Sequence, residues 1–125
     1  MTTWNRKRGD VKDTIVVALQ GVADITGATV VGHVKLGAVK KALTGTVLNA
    51  IATGPHVQSD GTIIYDQPCS VTLQLGVTAA VDWLPIATIG TWRLTEQLTF
   101  PDGTVKTWPS EGYDAIIVED QDDPA

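Results

Sequence analysis

Residues 90–100 read Gly-Thr-Trp-Arg-Leu-Thr-Glu-Gln-Leu-Thr-Phe. Trp92, Leu94, Leu98 and Phe100 fall on one face, and Thr91, Arg93, Thr95, Gln97 and Thr99 on the other. A repeat of two sustained over this length specifies a strand with one buried face. Pro101-Asp102-Gly103 follows at once. Proline presets φ for the first turn position, and glycine tolerates the positive φ that closes a tight hairpin. The pattern therefore predicts a long ribbon, running on through a final apolar segment at 113–119. A two-stranded ribbon is marginal in water, so more strands must cover its apolar side.

The rest of the chain supplies them. Residues 13–20 alternate, with Ile15, Val17 and Leu19 on one side. Asp24-Ile25-Thr26-Gly27 closes a turn, and residues 28–36 alternate again, with Ala28, Val30, Val34 and Leu36 inward. Residues 37–41 read as a loop, 42–52 as a weak segment with a strand through Thr46-Val47-Leu48, and 53–61 as loop because of Gly54-Pro55 and Ser59-Asp60-Gly61. A short β-rich run at 62–65 precedes 69–75, where Cys69, Val71, Leu73 and Leu75 point inward. Within 77–84 the apolar residues Val77, Ala80, Val81 and Leu84 recur at three and four, which predicts one short helical turn. Seven or eight strands with regular turn signals and almost no helix predict an all-β fold, an antiparallel immunoglobulin-like β-sandwich. The expected organisation is an N-terminal arm at 1–12, a sandwich at 13–119 and an acidic tail at 120–125.

Composition narrows the function. With 125 residues the chain suits one domain with a real core. Its one cysteine, Cys69, allows no internal disulfide, and with two histidines 23 positions apart it assembles no zinc site. The start, Met-Thr-Thr-Trp-Asn-Arg-Lys-Arg-Gly-Asp, has no apolar core after its basic residues, and no run reaches membrane-spanning length. Synthesis in a cytoplasm, without a signal peptide and without membrane association, is the expectation. The net charge of −5 is unevenly spread: residues 1–41 hold seven of the nine basic residues and three acids. Two solvated faces account for that, and so do complementary ends that orient copies or neighbours. Overall acidity argues against nucleic acid, and Arg8-Gly9-Asp10 is too short a match to mean adhesion.

No catalytic constellation emerges. Cys69 reads as a small buried hydrophobe. His33 and His56 have no thiolate or carboxylate spaced to join them. The acids Glu119, Asp120, Asp122 and Asp123 lack the glycine and closing glutamate of a calcium loop. No enzyme activity, cofactor, metal or small-molecule substrate is expected. Glu96 is the exception to the pattern, because strict alternation points it inward with Trp92 and Leu98. A buried carboxylate needs a donor or a raised pKa, so a bulge, a strand end beyond the core or a paired charge such as a neighbour's Arg93 would each resolve it, and the bulge or strand end is the expected escape. Of the four tryptophans, Trp92 and Trp83 suit the core, while Trp4 and Trp108 lie in the arm and beside a Pro-Ser turn. Aromatics so placed are enriched at interfaces. The candidate protein-interface residues are Trp4, Arg6, Arg8 and Trp108.

The order of these pieces resembles the immunoglobulin-like β-sandwich of tail and baseplate proteins of tailed bacteriophages, among them the N-terminal domain of upper baseplate proteins and lateral-tail-fibre-associated sandwiches. The residues that carry the resemblance are Gly9-Asp10, Asp24-Ile25-Thr26-Gly27-Ala28, Gly61-Thr62, Val71-Thr72-Leu73, Thr78-Ala79-Ala80, Gly90-Thr91-Trp92-Arg93-Leu94 with Pro101-Asp102-Gly103, and Trp108-Pro109-Ser110. Their order over residues 9–119, and no one motif, makes the likeness. It implies a structural virion protein, a minor tail protein of the tail tip or baseplate, partnered by other virion subunits in multiple symmetric copies. A capsid decoration or head–tail position fits the same sandwich. A carbohydrate-binding or adhesion module is the reading from another class, supported by the tryptophans.

Overall fold

The computed structural model describes residues 2–7, 13–76, 88–109 and 112–119. Arg8, Trp83, the helical turn expected at 77–84 and the tail at 120–125 lie outside them. The described residues form ten strands: β1 (Thr3–Lys7), β2 (Asp13–Leu19), β3 (Thr29–Leu36), β4 (Val39–Asn49), β5 (Thr53–Val57), β6 (Ile63–Gln67), β7 (Cys69–Gly76), β8 (Gly90–Thr99), β9 (Val105–Trp108) and β10 (Asp114–Glu119). The fold is all-β. One sheet runs β1-β10-β8-β3-β4-β7-β2 with β9 also on β8, while β5 and β6 pair only with each other.

That sheet curls into a nearly closed, barrel-like wall in place of the two separate sheets of the expected sandwich. The reason lies in β4. Its first half pairs with β3 from Val39 to Gly45, and its second half pairs with β7 from Gly45 onward. A strand that changes partners midway joins two layers at a corner. Glycine makes the corner possible. A Cβ on Gly45 would stand 2.8 Å from Val30 Cγ1 and 2.9 Å from Leu73 Cδ2, and one on Gly32 would stand 2.9 Å from Leu73 Cδ1. Leu73 thus fills the space that two missing side chains leave. The strand order is also mixed, because β1 lies parallel to β10. Thr3–Lys7, expected within an N-terminal arm, is therefore an edge strand.

The inward alternation expected for β2, β3, β7 and β8 is observed. Ile15, Val17, Leu19, Val30, Val34, Val71, Leu73, Leu75, Trp92, Leu94 and Leu98 are all buried. Cys69 is buried too, its thiol donating to the Ala50 carbonyl at 3.3 Å, and burial pushes the thiol pKa up. Two expectations fail in the middle of the chain. Residues 37–41 hold only the turn at Gly37, and 53–57 form β5 in spite of Pro55. Proline is tolerated there because β5 is an edge strand with a single neighbour.

Three turns share one chemistry. Asp24, Asp60 and Asp102 each accept hydrogen bonds from both the backbone N–H and the hydroxyl of the threonine two residues on. These donors hold all three aspartates below the usual carboxylate range. All three turns lie at the end of the barrel opposite the β3–β4 turn.

Gly32→Ala is expected to destabilise the fold by about 1–3 kcal/mol, the usual cost of overpacking a closed core. In a Leu73→Ala background the same change should cost much less, since the colliding methyls are gone. Denaturant melts of the double-mutant cycle measure the difference.

Candidate functional site

β1 and β2 are the two ends of the sheet, and no ladder joins them. They face each other across a seam. At its lower end Arg6 of β1 reaches β2, with Nε 3.0 Å from Asp13 Oδ2 and Nη2 donating to the Thr14 carbonyl at 3.5 Å. This pair is partly exposed, so it latches the seam for about 1 kcal/mol or less. Arg6 therefore engages its own chain. Lys7 likewise pairs with Glu119 at 3.1 Å.

Above the latch the seam opens into a cleft of about 420 Å³, lined by Thr2, Trp4, Val16, Val17, Ala18, Gln20, Trp108, Pro109 and Asp114. The fold thus brings together Trp4 and Trp108, the two aromatics separated by more than a hundred residues in sequence. Register explains the meeting. Trp4 lies beside Ile116 on β10, and Trp108 lies beside Glu96 on β8. Both indoles are half-buried and pack against the core. β9 and β10 occupy the same edge of β8, one beyond the other, with residues 109–113 between them. That interruption sets Trp108 and Asp114 at the cleft.

Asp114 lines the cleft, and a second carboxyl, Glu96, lies behind that lining, across the β8–β9 ladder from Trp108. Asp114 is buried, and its Oδ1 accepts the Thr2 N–H at 2.9 Å. Glu96 is fully buried, and neither of its oxygens has a hydrogen-bond partner among the described residues. The bulge or strand end expected to free it is absent: the β3–β8 ladder runs unbroken through Gly32↔Glu96. Burial, reinforced by the negative charge of Asp114, raises the Glu96 pKa from its ordinary 4.5 to about 8. Glu96 therefore carries its proton at neutral pH. The alternation of 90–100 pointed to this residue, but Asp114 gives no such signal, since a single Asp before an apolar run reads as a turn residue.

A second polar feature escaped the sequence because it is built across strands. On the outer face Arg93 is opposite Lys35, and Lys35 is opposite Lys40. Like charges in direct cross-strand register destabilise a sheet. Arg93 lies over the Tyr113 ring at 4.7 Å, and the three cations line a cavity of about 390 Å³ with His33, Thr95 and Tyr113. The third feature is the β5–β6 hairpin, which carries exposed Val57, Ile63 and Ile64. Among the described residues no group of three or more His, Cys, Asp or Glu is placed to hold a metal ion.

The Glu96 shift sets a pH dependence. Because the folded-state pKa lies above the unfolded one, the native state holds the proton more tightly between pH 4.5 and about 8. Stability is then greatest below the unfolded value and falls as pH rises through that window, by up to about 5 kcal/mol. Glu96→Gln should remove this loss. The expected result is near-equal stability of the two proteins at pH 5 and a clear advantage for the variant at pH 9, read from urea melts. Parallel stability profiles for the two proteins would contradict the assignment.

No protein-family model, curated protein or solved structure matches this chain.

Proposed function

We propose that this chain is a non-enzymatic structural subunit of a tailed-bacteriophage virion, a small β-domain that docks on other virion proteins, most naturally in the tail tip or baseplate. The observation that carries the docking function is the β5–β6 hairpin. It prolongs the β4–β7 pair beyond Asn49 and Cys69, and among the described residues it is paired with no other strand. Val57 is 73 % exposed, and Ile63 and Ile64 are also open to solvent. A two-stranded ribbon with apolar residues on it gains stability by laying them against a partner.

The hairpin is anchored well enough to present those residues. The Gln20 carboxamide accepts from Tyr65 N–H at 3.0 Å and donates to the Tyr65 carbonyl at 3.2 Å, in place of a missing strand. Asn49 Nδ2 donates to the Pro68 carbonyl at the root. Charge supports ordered docking. Asp24, Asp60, Asp66 and Asp102 belong to the hairpin end, and Lys35, Lys40, Lys41 and Arg93 to the half nearer the β3–β4 turn. Opposite ends of opposite sign orient a neighbour before contact. The virion assignment itself draws on the resemblance across residues 9–119; an immunoglobulin-like sandwich joined at one corner by β4 is compatible with this sheet. The carbohydrate-binding reading has one observation in its favour, the two tryptophans at the cleft.

Val57→Ser combined with Ile64→Ser should leave the melting of the isolated protein within about 0.5 kcal/mol, as for exposed positions generally. Incorporation into phage particles should fall severalfold, measured by quantitative mass spectrometry of purified tails and heads. Recovery in heads alone would move the subunit to the capsid, and normal incorporation of the double variant would overturn the hairpin's role.

A further inference from the structure

The seam cleft combines two aromatic walls with uncompensated negative chemistry. Trp4 and Trp108 line it, Asp114 lies within it, and no cation is among the described residues that line it. Glu96 sits directly across the β8–β9 ladder from Trp108, on the interior side, fully buried and with both oxygens unpartnered among the described residues. A buried carboxyl without a donor costs free energy in the isolated protein. Its position beside a second carboxyl suits a guest that supplies donors and positive charge. A neutral sugar would stack on the indoles but leave the charge unanswered. An ammonium group answers both: it is attracted to indole faces and donates three hydrogen bonds.

We infer that the cleft between β1 and β2 is a socket for a lysine side chain of a partner protein, its ammonium received by Asp114 with Glu96 behind it and its methylene stem flanked by Trp4 and Trp108. The cleft volume of about 420 Å³ leaves ample room for the stem. Asp114 has one oxygen engaged by Thr2 N–H, which restrains the carboxylate at the cleft. The charge acting on Glu96 is that of Asp114, from β10. Facing elements contribute Gly32 from β3 and Trp108 from β9, neither of them titratable, and Lys106 on β9 is exposed. Arrival of the ammonium therefore favours ionisation of Glu96, and binding should release a proton near neutral pH. This inference rests on the docking function only in taking the amine to belong to a protein.

The test uses the full chain and a blocked peptide, acetyl-Gly-Lys-Gly-amide, with its Nε-acetyl-lysine counterpart as the neutral control. Titration calorimetry in two buffers of different ionisation enthalpy reads affinity and proton release together. Saturable binding of the lysine peptide, with release of protons at pH 7, is expected, and the acetylated peptide should bind at least roughly tenfold more weakly, the scale of a lost charged hydrogen bond. Asp114→Asn should weaken binding by a similar factor. Glu96→Gln should abolish the proton release, and the thermal melt of each variant reports that it is folded. Trp108→Phe keeps an aromatic wall and should retain most of the affinity, whereas Trp108→Ala should not. Equal binding of the acetylated peptide, unchanged affinity in Asp114→Asn, preference for a neutral saccharide, or absence of saturable binding would each overturn the socket. Loss of hairpin-dependent particle incorporation with intact peptide binding, or the reverse, separates this site from the docking hairpin.

Discussion

The close approach of two layers over Leu73 is the constraint on which the rest of this fold depends. Leu73 enters a space kept open by Gly32 on β3 and Gly45 on β4. Any larger residue at either position would force the layers apart. Because β4 passes from β3 to β7 at Gly45, the layers cannot slide independently, and the sheet must curl. The curl brings β1 and β2 face to face without a backbone ladder between them. The seam, its cleft and the latch at Arg6–Asp13 all follow from that one corner.

Much of the wall was legible in the sequence because burial on one face writes a period of two. The segments around Ile15, Val30, Val71 and Leu94 carry that period, and each is a strand with the expected residues inside. The middle of the chain was not legible for a physical reason. Between Val39 and Asn49 only Leu43 is fully buried, since this strand spends its length crossing a corner and then leaving the sheet. β5 is exposed on nearly every residue, so its pattern records no core at all. The parallel pairing of Thr3–Lys7 with β10 was equally hidden, because an edge strand covered on one side by a neighbour needs few apolar residues.

The candidate site was half visible. Trp4 and Trp108 stood out as aromatics with no place in a regular strand core, and the structure brings both to one cleft. What sequence could not supply was the partner set. The row Arg93–Lys35–Lys40 exists only through cross-strand register, and its members are scattered over more than fifty positions. Glu96 is the reverse case. The pattern named it correctly as inward, and the general cost of a buried carboxyl argued for an escape that the backbone does not provide. A local rule was outweighed by the ladder, which holds Glu96 between Gly32 and Trp108. Such a conflict between pattern and chemistry is where a functional constraint is expected.

The hairpin and the cleft are not independent in space, because Gln20 belongs to both. Its carboxamide bridges the backbone of Tyr65 in the middle of β6, and the residue also lines the cleft. Gln20 is the first residue beyond β2, at the end of the barrel to which the β4–β7 pair extends. A partner that covers the exposed valine and isoleucines of the hairpin therefore approaches the mouth of the seam as well. Apolar surface gives such a contact its strength, but it is non-directional and tolerates sliding. A single charged group entering a site of fixed geometry tolerates none, since displacement leaves a buried carboxyl unpaired. In the proposed assembly the hairpin would supply adhesion and the Asp114–Glu96 pair would supply register. On that proposal, the stability that Glu96 costs the isolated domain would be the source of discrimination between a correctly and an incorrectly seated neighbour.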